Sequence, residues 1–340
     1  WTAAEALPSA SATLPSTFRP DSLRLEVSGP REGELLTVTL PFLPPDGLAW
    51  RGISEPRYPG ASTLLETVTS DLLAVEGAPD CLVLVWTGFR ETLVADMDTL
   101  MAFAERERLL DRHIIVDVTR SGGGSLGAYA IQRLQPRPFR TTFGNLRLSD
   151  VIVPFIEDKR ADFAARNIND SGVAETVDDG SWLMDWLESD VLAALERGDE
   201  YTAAVPFKLA HAPKDSDGVL QPAGVHFRGG FAVISGPSGG SHLDQFNAIV
   251  KDNALGAIVG MPAGGYSNTW EWEEVLTFPG TDRPVVGFMY DIGHTIRPNG
   301  EILEGNPALV DVWIPLTAEG VSDYYARLLG AALAEVRARR

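Results

Sequence analysis

The sequence predicts an α/β protein with a mostly parallel sheet, and three stretches make that prediction. His113-Ile114-Ile115-Val116-Asp117-Val118 and Phe231-Ala232-Val233-Ile234 are continuous apolar, β-branched runs, the pattern of strands buried on both faces. Each ends in a glycine-rich turn, Ser121-Gly122-Gly123-Gly124-Ser125 in the first case and Gly236 to Gly240 in the second, and each turn opens onto helical spacing. The third stretch is residues 91–112, where Leu93, Met97, Leu100, Phe103, Leu109 and Leu110 share one side of a helix that precedes the strand at His113. Strand–helix–strand units with right-handed crossovers set their strands parallel.

The elements follow in order. Residues 1–20, rich in Ala, Ser, Thr and Pro without periodicity, read as a linker or processed tail. Residues 21–60 read as a β-rich segment: two alternating stretches between Ser22 and Leu43 flank Gly-Pro-Arg-Glu-Gly as a hairpin, which Pro44-Pro45-Asp46-Gly47 ends. A large domain is expected over residues 61–340. In it, Leu64 to Val75 has helical spacing, 81–87 is an apolar strand, and a helix runs over 126–134. Residues 136–229 are less regular and read as an insertion, with an amphipathic helix over 181–197 and a Pro/Gly/Asp-rich loop over 210–225. After the strand at Phe231 come a helix from Ser241 and a short strand from Gly256 to Gly260. Two strands are expected between Trp270 and Tyr290, a hairpin turn at Asn299-Gly300, a strand over 310–315 and a closing helix over 322–339. No internal repeat is visible.

Composition narrows the function. The 340 residues are 44% hydrophobic, without an apolar run long enough to span a bilayer, so membrane insertion is not expected. A net charge of −19 argues against nucleic acid and anionic membrane surfaces, since repulsion would replace counterion release. Acidic composition suits a secreted or extracytoplasmic protein, the location expected here. The single cysteine, Cys81, heads an apolar run and reads as an inert core residue. The five histidines (His113, His211, His226, His242 and His294) form no HExxH or other metal spacing, so no metal is implied. Asn169-Asp170-Ser171 is a glycosylation sequon, and a chain beginning at Trp1 suggests a terminus made by processing.

The two glycine turns carry the chemistry. Gly122-Gly123-Gly124-Ser125 lacks the G-x-G-x-x-G spacing of a dinucleotide site and the lysine of a P-loop. Exposed N–H groups at such a turn suit an oxyanion hole, although tight packing alone would also select glycine. At the second turn, strand, glycines, Ser241 and helix form the geometry that lifts a hydroxyl above a sheet edge. Ser241-His242-Leu243-Asp244 is equally an S-x-x-D capping box.

Beyond these local patterns, Gly-Gly-Phe-Ala-Val-Ile-Ser with Ser241-x-x-Asp244-x-Phe246, Lys251-Asp252-Asn253, Ile258-Val259-Gly260 and Ala263-Gly264-Gly265 resembles the core of the carboxy-terminal-processing (tail-specific) and tricorn serine peptidases. Asp117 to Ser125 looks like that family's D-x-x-x-N-x-G-G loop, with Ser121 replacing the Asn. Glu304-Gly305-Asn306-Pro307 with Val310-Asp311-Val312 is similar to its E-G-x-G-V-x-P-D-I segment. The subgroup of the secreted chlamydial protease-like activity factor looks nearest. The resemblance implies a ClpP/crotonase-like spiral of ββα units, Ser241 as nucleophile, and Gly123, Gly124 and the His242 N–H as the oxyanion hole. The lysine-dependent branch places its base where this chain has Tyr266, which cannot replace an amine. Glu304 instead matches the acid of a Ser/His/Glu arrangement, with no cofactor.

That arrangement lacks an evident histidine. In the family it comes from an amino-terminal region, so an amino-terminal fragment of the same precursor is an expected partner. Within the chain, His294 is the candidate base, by its proximity to Glu304 in sequence. The expected function is therefore a serine endopeptidase acting on peptide or protein substrates. The alternatives are a catalytically inactive protein that binds peptide or a hydrophobic ligand on the same fold, and a crotonase-type acyl-thioester enzyme, for which the basic cluster needed by CoA phosphates is missing.

Overall fold

The computed structural model describes residues 22–28, 35–41, 58–89, 92–124, 126–165, 181–206, 217–267, 270–317 and 320–338. The tail at 1–20, the Pro44–Gly47 break, Ser125, the sequon at Asn169 and His211 lie outside the described residues. The chain divides into two compact units, Trp1–Glu55 and Pro56–Arg340. The first contains the hairpin that alternation predicts, β1 (Ser22–Ser28) antiparallel to β2 (Leu35–Pro41).

In the second unit the elements begin β3 (Ala61–Glu66), β4 (Ser70–Val75), β5 (Cys81–Trp86), α1 (Leu93–Arg106), β6 (His113–Asp117) and α2 (Gly127–Leu134). Next come β7 (Phe139–Arg140), β8 (Phe143–Leu146), α3 (Ile152–Ala164), α4 (Ser181–Asp185), a π-helical turn (Trp186–Val191), α5 (Leu192–Arg197), β9 (Val205–Pro206) and β10 (Val219–Leu220). The remainder is β11 (Phe231–Ser235), α6 (His242–Asp252), β12 (Ala257–Gly260), β13 (Glu271–Thr277), β14 (Pro284–Asp291), β15 (Gly293–Ile296), β16 (Val312–Trp313) and α7 (Tyr324–Ala338).

A seven-stranded sheet in the order β16-β12-β11-β6-β5-β4-β3 forms the centre. Its pairs from β5 to β16 are parallel, while β3–β4 and β4–β5 are antiparallel. The apolar runs alternate between two cores because successive strand side chains point to opposite faces. Leu82, Leu84, Ile114, Val116, Val233 and Ile258 join α1, α2 and α6 on one face. Cys81, Val83, Ile115, Ala232, Ile234 and Val259 meet α7 on the other. Burial pushes the Cys81 thiol up to about 11, which keeps it protonated and unreactive.

Several expectations are corrected. The helix expected from Leu64 to Val75 is the β3–β4 hairpin: Leu72 enters one core and Leu73 and Val75 the other, an alternation that a helical stripe cannot satisfy. Its turn is closed by the Thr67 N–H donating to Ser70 O at 2.8 Å. The helix at 91–112 ends at Arg106, and Arg108 takes a left-handed φ of 58° so that Leu109 and Leu110 still reach the core. The strand expected over 310–315 pairs only at Val312–Trp313. The helix over 181–197 is interrupted by its π-turn.

Much of the stretch from 136 to 229 builds a third core. Leu146, Ile152, Phe155, Trp186, Leu187 and Val191 pack there with Trp270 and Ile292 from much later in the chain. β8 accordingly pairs with β15 on one side and β9 on the other. Between Ser267 and β15 the β13–β14 ribbon leaves Val275, Leu276, Val286, Phe288 and Met289 exposed.

Candidate active site

The loops after β5, β6, β11 and β12 gather at the carboxyl ends of the parallel strands, the end at which open α/β sheets bind ligands. Ser241 sits there at the mouth of α6 with φ 59° and ψ −126°, a conformation that costs a non-glycine residue energy and is characteristic of functional sites. Its N–H donates to Tyr266 O at 2.8 Å. Its hydroxyl makes no capping bond to the helix, so the capping-box reading of Ser241 is not what the molecule uses. Asp244, the other half of that box, is fully buried and accepts the N–H groups of Gly265 at 3.0 Å and Tyr266 at 3.3 Å. Burial pushes its carboxyl up to about 6, and the two backbone donors hold it from going higher.

Gly123 and Gly124 lie against different neighbours. A Cβ at Gly123, whose φ is +85°, would stand 2.8 Å from Gly240 O, 3.2 Å from Ser241 Cβ and 3.3 Å from the His242 N. A Cβ at Gly124 would collide with Phe89 O, and the Phe89 N–H donates to Gly123 O at 2.8 Å. Gly123 is thus the glycine that abuts the serine and the first N–H of α6, while Gly124 lets the loop lie flat on Phe89. Beneath the loop, Asp117 is buried, accepting Tyr58 Oη at 2.6 Å and the Thr119 N–H at 2.8 Å. Burial raises the Asp117 pKa, and burial together with the nearby carboxylate raises that of Tyr58 well above the usual phenol value.

The third motif reaches the same place through backbone contacts. The Gly305 N–H donates to Gly265 O at 2.7 Å, which sets the loop carrying Glu304 behind the turn that holds Ser241. The Glu304 carboxylate accepts the Thr295 N–H at 3.1 and 3.3 Å. Lys251, Asp252 and Asn253 form the frame. Lys251 pairs with Asp311 at 2.7 Å, and Asp311 also accepts the Ile258 N–H at 2.8 Å. Asp252 forms a buried bidentate pair with Arg297 at 2.6 and 3.0 Å, and Arg297 Nη1 donates to Asn306 O at 3.1 Å. Asn253 bonds both the N–H and the C=O of Arg140. The motif resemblance singled out Lys251-Asp252-Asn253 and Asp311, but not their framing roles, because the partners Arg297, Arg140 and Ile258 lie far away in sequence.

The histidine rings are held by the scaffold. His242 Nε2 accepts the Gly127 N–H at 2.7 Å, and the ring lies edge-on to Phe89, so its backbone N–H rather than its imidazole faces Gly123. His113 Nδ1 accepts the Gly230 N–H, and His226 Nδ1 lies 2.6 Å from Ala223 O. His294 donates its N–H to Asn145 Oδ1, and its ring stacks on Tyr201 with centroids 5.0 Å apart. It lies one residue from the Thr295 that holds Glu304. Tyr266 is half-exposed with its ring over Gly240 and Gly264; a side chain on either glycine would displace it. Among the described residues no group of His, Cys, Asp and Glu could hold a metal ion, and no helix is long and apolar enough to cross a membrane.

No family model and no curated protein matches the chain. Solved structures do. CPAF complexed with lactacystin superposes with a TM-score of 0.59 at 15% identity over 92% of this chain and 67% of that one. Mature CPAF gives 0.58 at 16% identity over 91% and 66%, and a serine-to-alanine mutant of CPAF gives 0.59 at 16% over 93% and 68%. The chain therefore spans about two thirds of the length of these structures. With a largely parallel sheet and three motif segments meeting at one end of it, the chain has the fold of CPAF.

Proposed function

We propose that the chain is a serine endopeptidase and that its layers form a ClpP/crotonase-like spiral. The observation that carries the proposal is the Ser241 turn: a serine with a strained backbone and a hydroxyl that does not cap its helix, set against Gly123 and the His242 N–H. Ser241 Oγ attacks the peptide carbonyl carbon and its proton passes to a histidine. The N–H groups of Gly123 and His242, with Gly124 supporting the loop, receive the negative charge on the carbonyl oxygen, the Gly123 N–H giving up its long 3.5 Å bond to Ser121 Oγ to do so. That charge develops only in the transition state, which is why fixed donors accelerate the step. Collapse breaks the C–N bond as the imidazolium protonates the leaving amine. Water, deprotonated by the same histidine, then releases the acyl group from Ser241. Glu304 orients and stabilises the imidazole.

The histidine comes from an amino-terminal segment or chain of the same precursor. His294 is the alternative within the chain, and its use would require its ring to leave Tyr201. Substrates are peptides or proteins, in a compartment outside the cytosol. The engagement of His113, His226, His242 and His294 elsewhere favours a second reading, an inactive relative that binds peptide in the same cleft.

Hydrolysis of an unfolded protein substrate separates the two. Wild type, with its amino-terminal fragment where one co-purifies, should cleave it. Ser241→Ala should lose at least about 10³-fold in kcat, and Glu304→Gln should lose a smaller factor. Tight substrate binding without cleavage by wild type would establish the binder instead.

A further inference from the structure

We infer that Asp244 is a positioning residue for Ser241, acting through the Gly265–Tyr266 turn. The inference rests on the reading of Ser241 as the reacting hydroxyl. Three hydrogen bonds form a relay: Asp244 Oδ1 accepts the Gly265 N–H at 3.0 Å, Oδ2 accepts the Tyr266 N–H at 3.3 Å, and Tyr266 O accepts the Ser241 N–H at 2.8 Å. The carboxylate thus reaches sideways from the first turn of α6 and returns to the serine at the mouth of the same helix. A positive φ on a serine persists only where its surroundings over-determine it. Here the Tyr266 carbonyl fixes the serine's N–H, the Tyr266 ring covers Gly240, and the Gly264 N–H donates to Gly239 O at 3.0 Å.

The clamp also reaches the third motif. Gly265 is held by its N–H to Asp244 and by its C=O to Gly305, the residue after Glu304. Asp244 therefore sets the distance between the serine turn and the loop of the acid that would orient the base. Burying a carboxylate here is costly, and an apolar or capping residue would avoid the cost; the geometry gives that charge one use, which is to aim this turn.

Saturation kinetics of a fluorophosphonate probe test the role, with the adduct located by mass spectrometry, beside amide exchange over residues 261–267. The full chain is used, with its amino-terminal fragment where one co-purifies. Asp244→Asn should raise exchange at Gly265 and Tyr266 by at least about tenfold. The maximal labelling rate at Ser241 should fall about 10- to 100-fold, while half-saturation stays within about twofold, the pattern of a misaimed nucleophile rather than a damaged binding site. Should Asp244→Asn not fold, Asp244→Glu, which keeps both acceptors displaced by one methylene, takes its place with the same readouts. Normal labelling by a variant whose turn has loosened, or unchanged exchange, overturns the positioning role alone. A wild type that never labels defeats the serine reading, and with it the role assigned to Asp244.

Discussion

Asp244 and Asp117 are both buried carboxylates at the carboxyl end of the sheet, but their partners differ. Asp117 accepts a phenol and an N–H, so Tyr58→Phe should leave it short of a donor and lower stability by about 1–3 kcal/mol in urea denaturation. Asp244 has two backbone donors and a carboxyl pushed up to about 6, against 3.8 for an unperturbed group. Between those values the folded chain binds more protons than the unfolded one, so this group's contribution falls as pH rises from about 4 to 6 and is fully unfavourable above that. Asp244→Asn should remove that slope, worth about 3 kcal/mol at most. The difference in unfolding free energy between wild type and variant, measured from pH 4 to 7.5, checks both sign and window. The two glycines separate in the same way. Gly123→Ala, which sets a methyl group against Ser241, should lower kcat by about 10²–10³-fold. Gly124→Ala, which drives a methyl into Phe89 O, should act first on stability, with a loss of about 1–3 kcal/mol seen as a lower Tm.

The helix α6 owes its position to the residues at its end as much as to its apolar face. Lys251, Asp252 and Asn253 tie it to Asp311, Arg297 and Arg140. The Arg297–Asp252 pair is almost fully buried, so Arg297→Ala should cost about 3–5 kcal/mol by leaving the carboxylate unpaired, and calorimetry would register it. It should also free the Asn306 carbonyl and loosen the Glu304 loop. The core strands and the helices at α1, α2, α6 and α7 were legible in the sequence because their patterns are local: continuous β-branched runs, glycine turns and a 3.6-residue stripe. The β3–β4 hairpin was misread because Leu64 to Val75 has helical spacing, and only the two-sided sheet shows which period applies. The pairing of β8 with β15 joins residues almost 150 positions apart, which local periodicity does not encode.

Across the molecule, the candidate site shows the same division. The turn that positions Ser241 and the glycine turn whose Gly123 abuts it were legible because in each a strand, a tight turn and a helix are contiguous in sequence. The relay from Asp244 through Gly265 and Tyr266 was read instead as a capping box, because the carboxylate's partners lie 21 and 22 residues away. Motifs that the family resemblance presents as parts of a site divide here into a strained serine turn and the ion pairs that frame it. Labelling with a fluorophosphonate, read by intact mass for wild type and Ser241→Ala with and without the amino-terminal fragment, tests the central claim most directly. One adduct per chain in wild type and none in Ser241→Ala is the result expected; dependence on the fragment would place the base there, and independence would place it within this chain, with His294 the leading candidate. A wild type that takes up no probe in either condition would contradict the account.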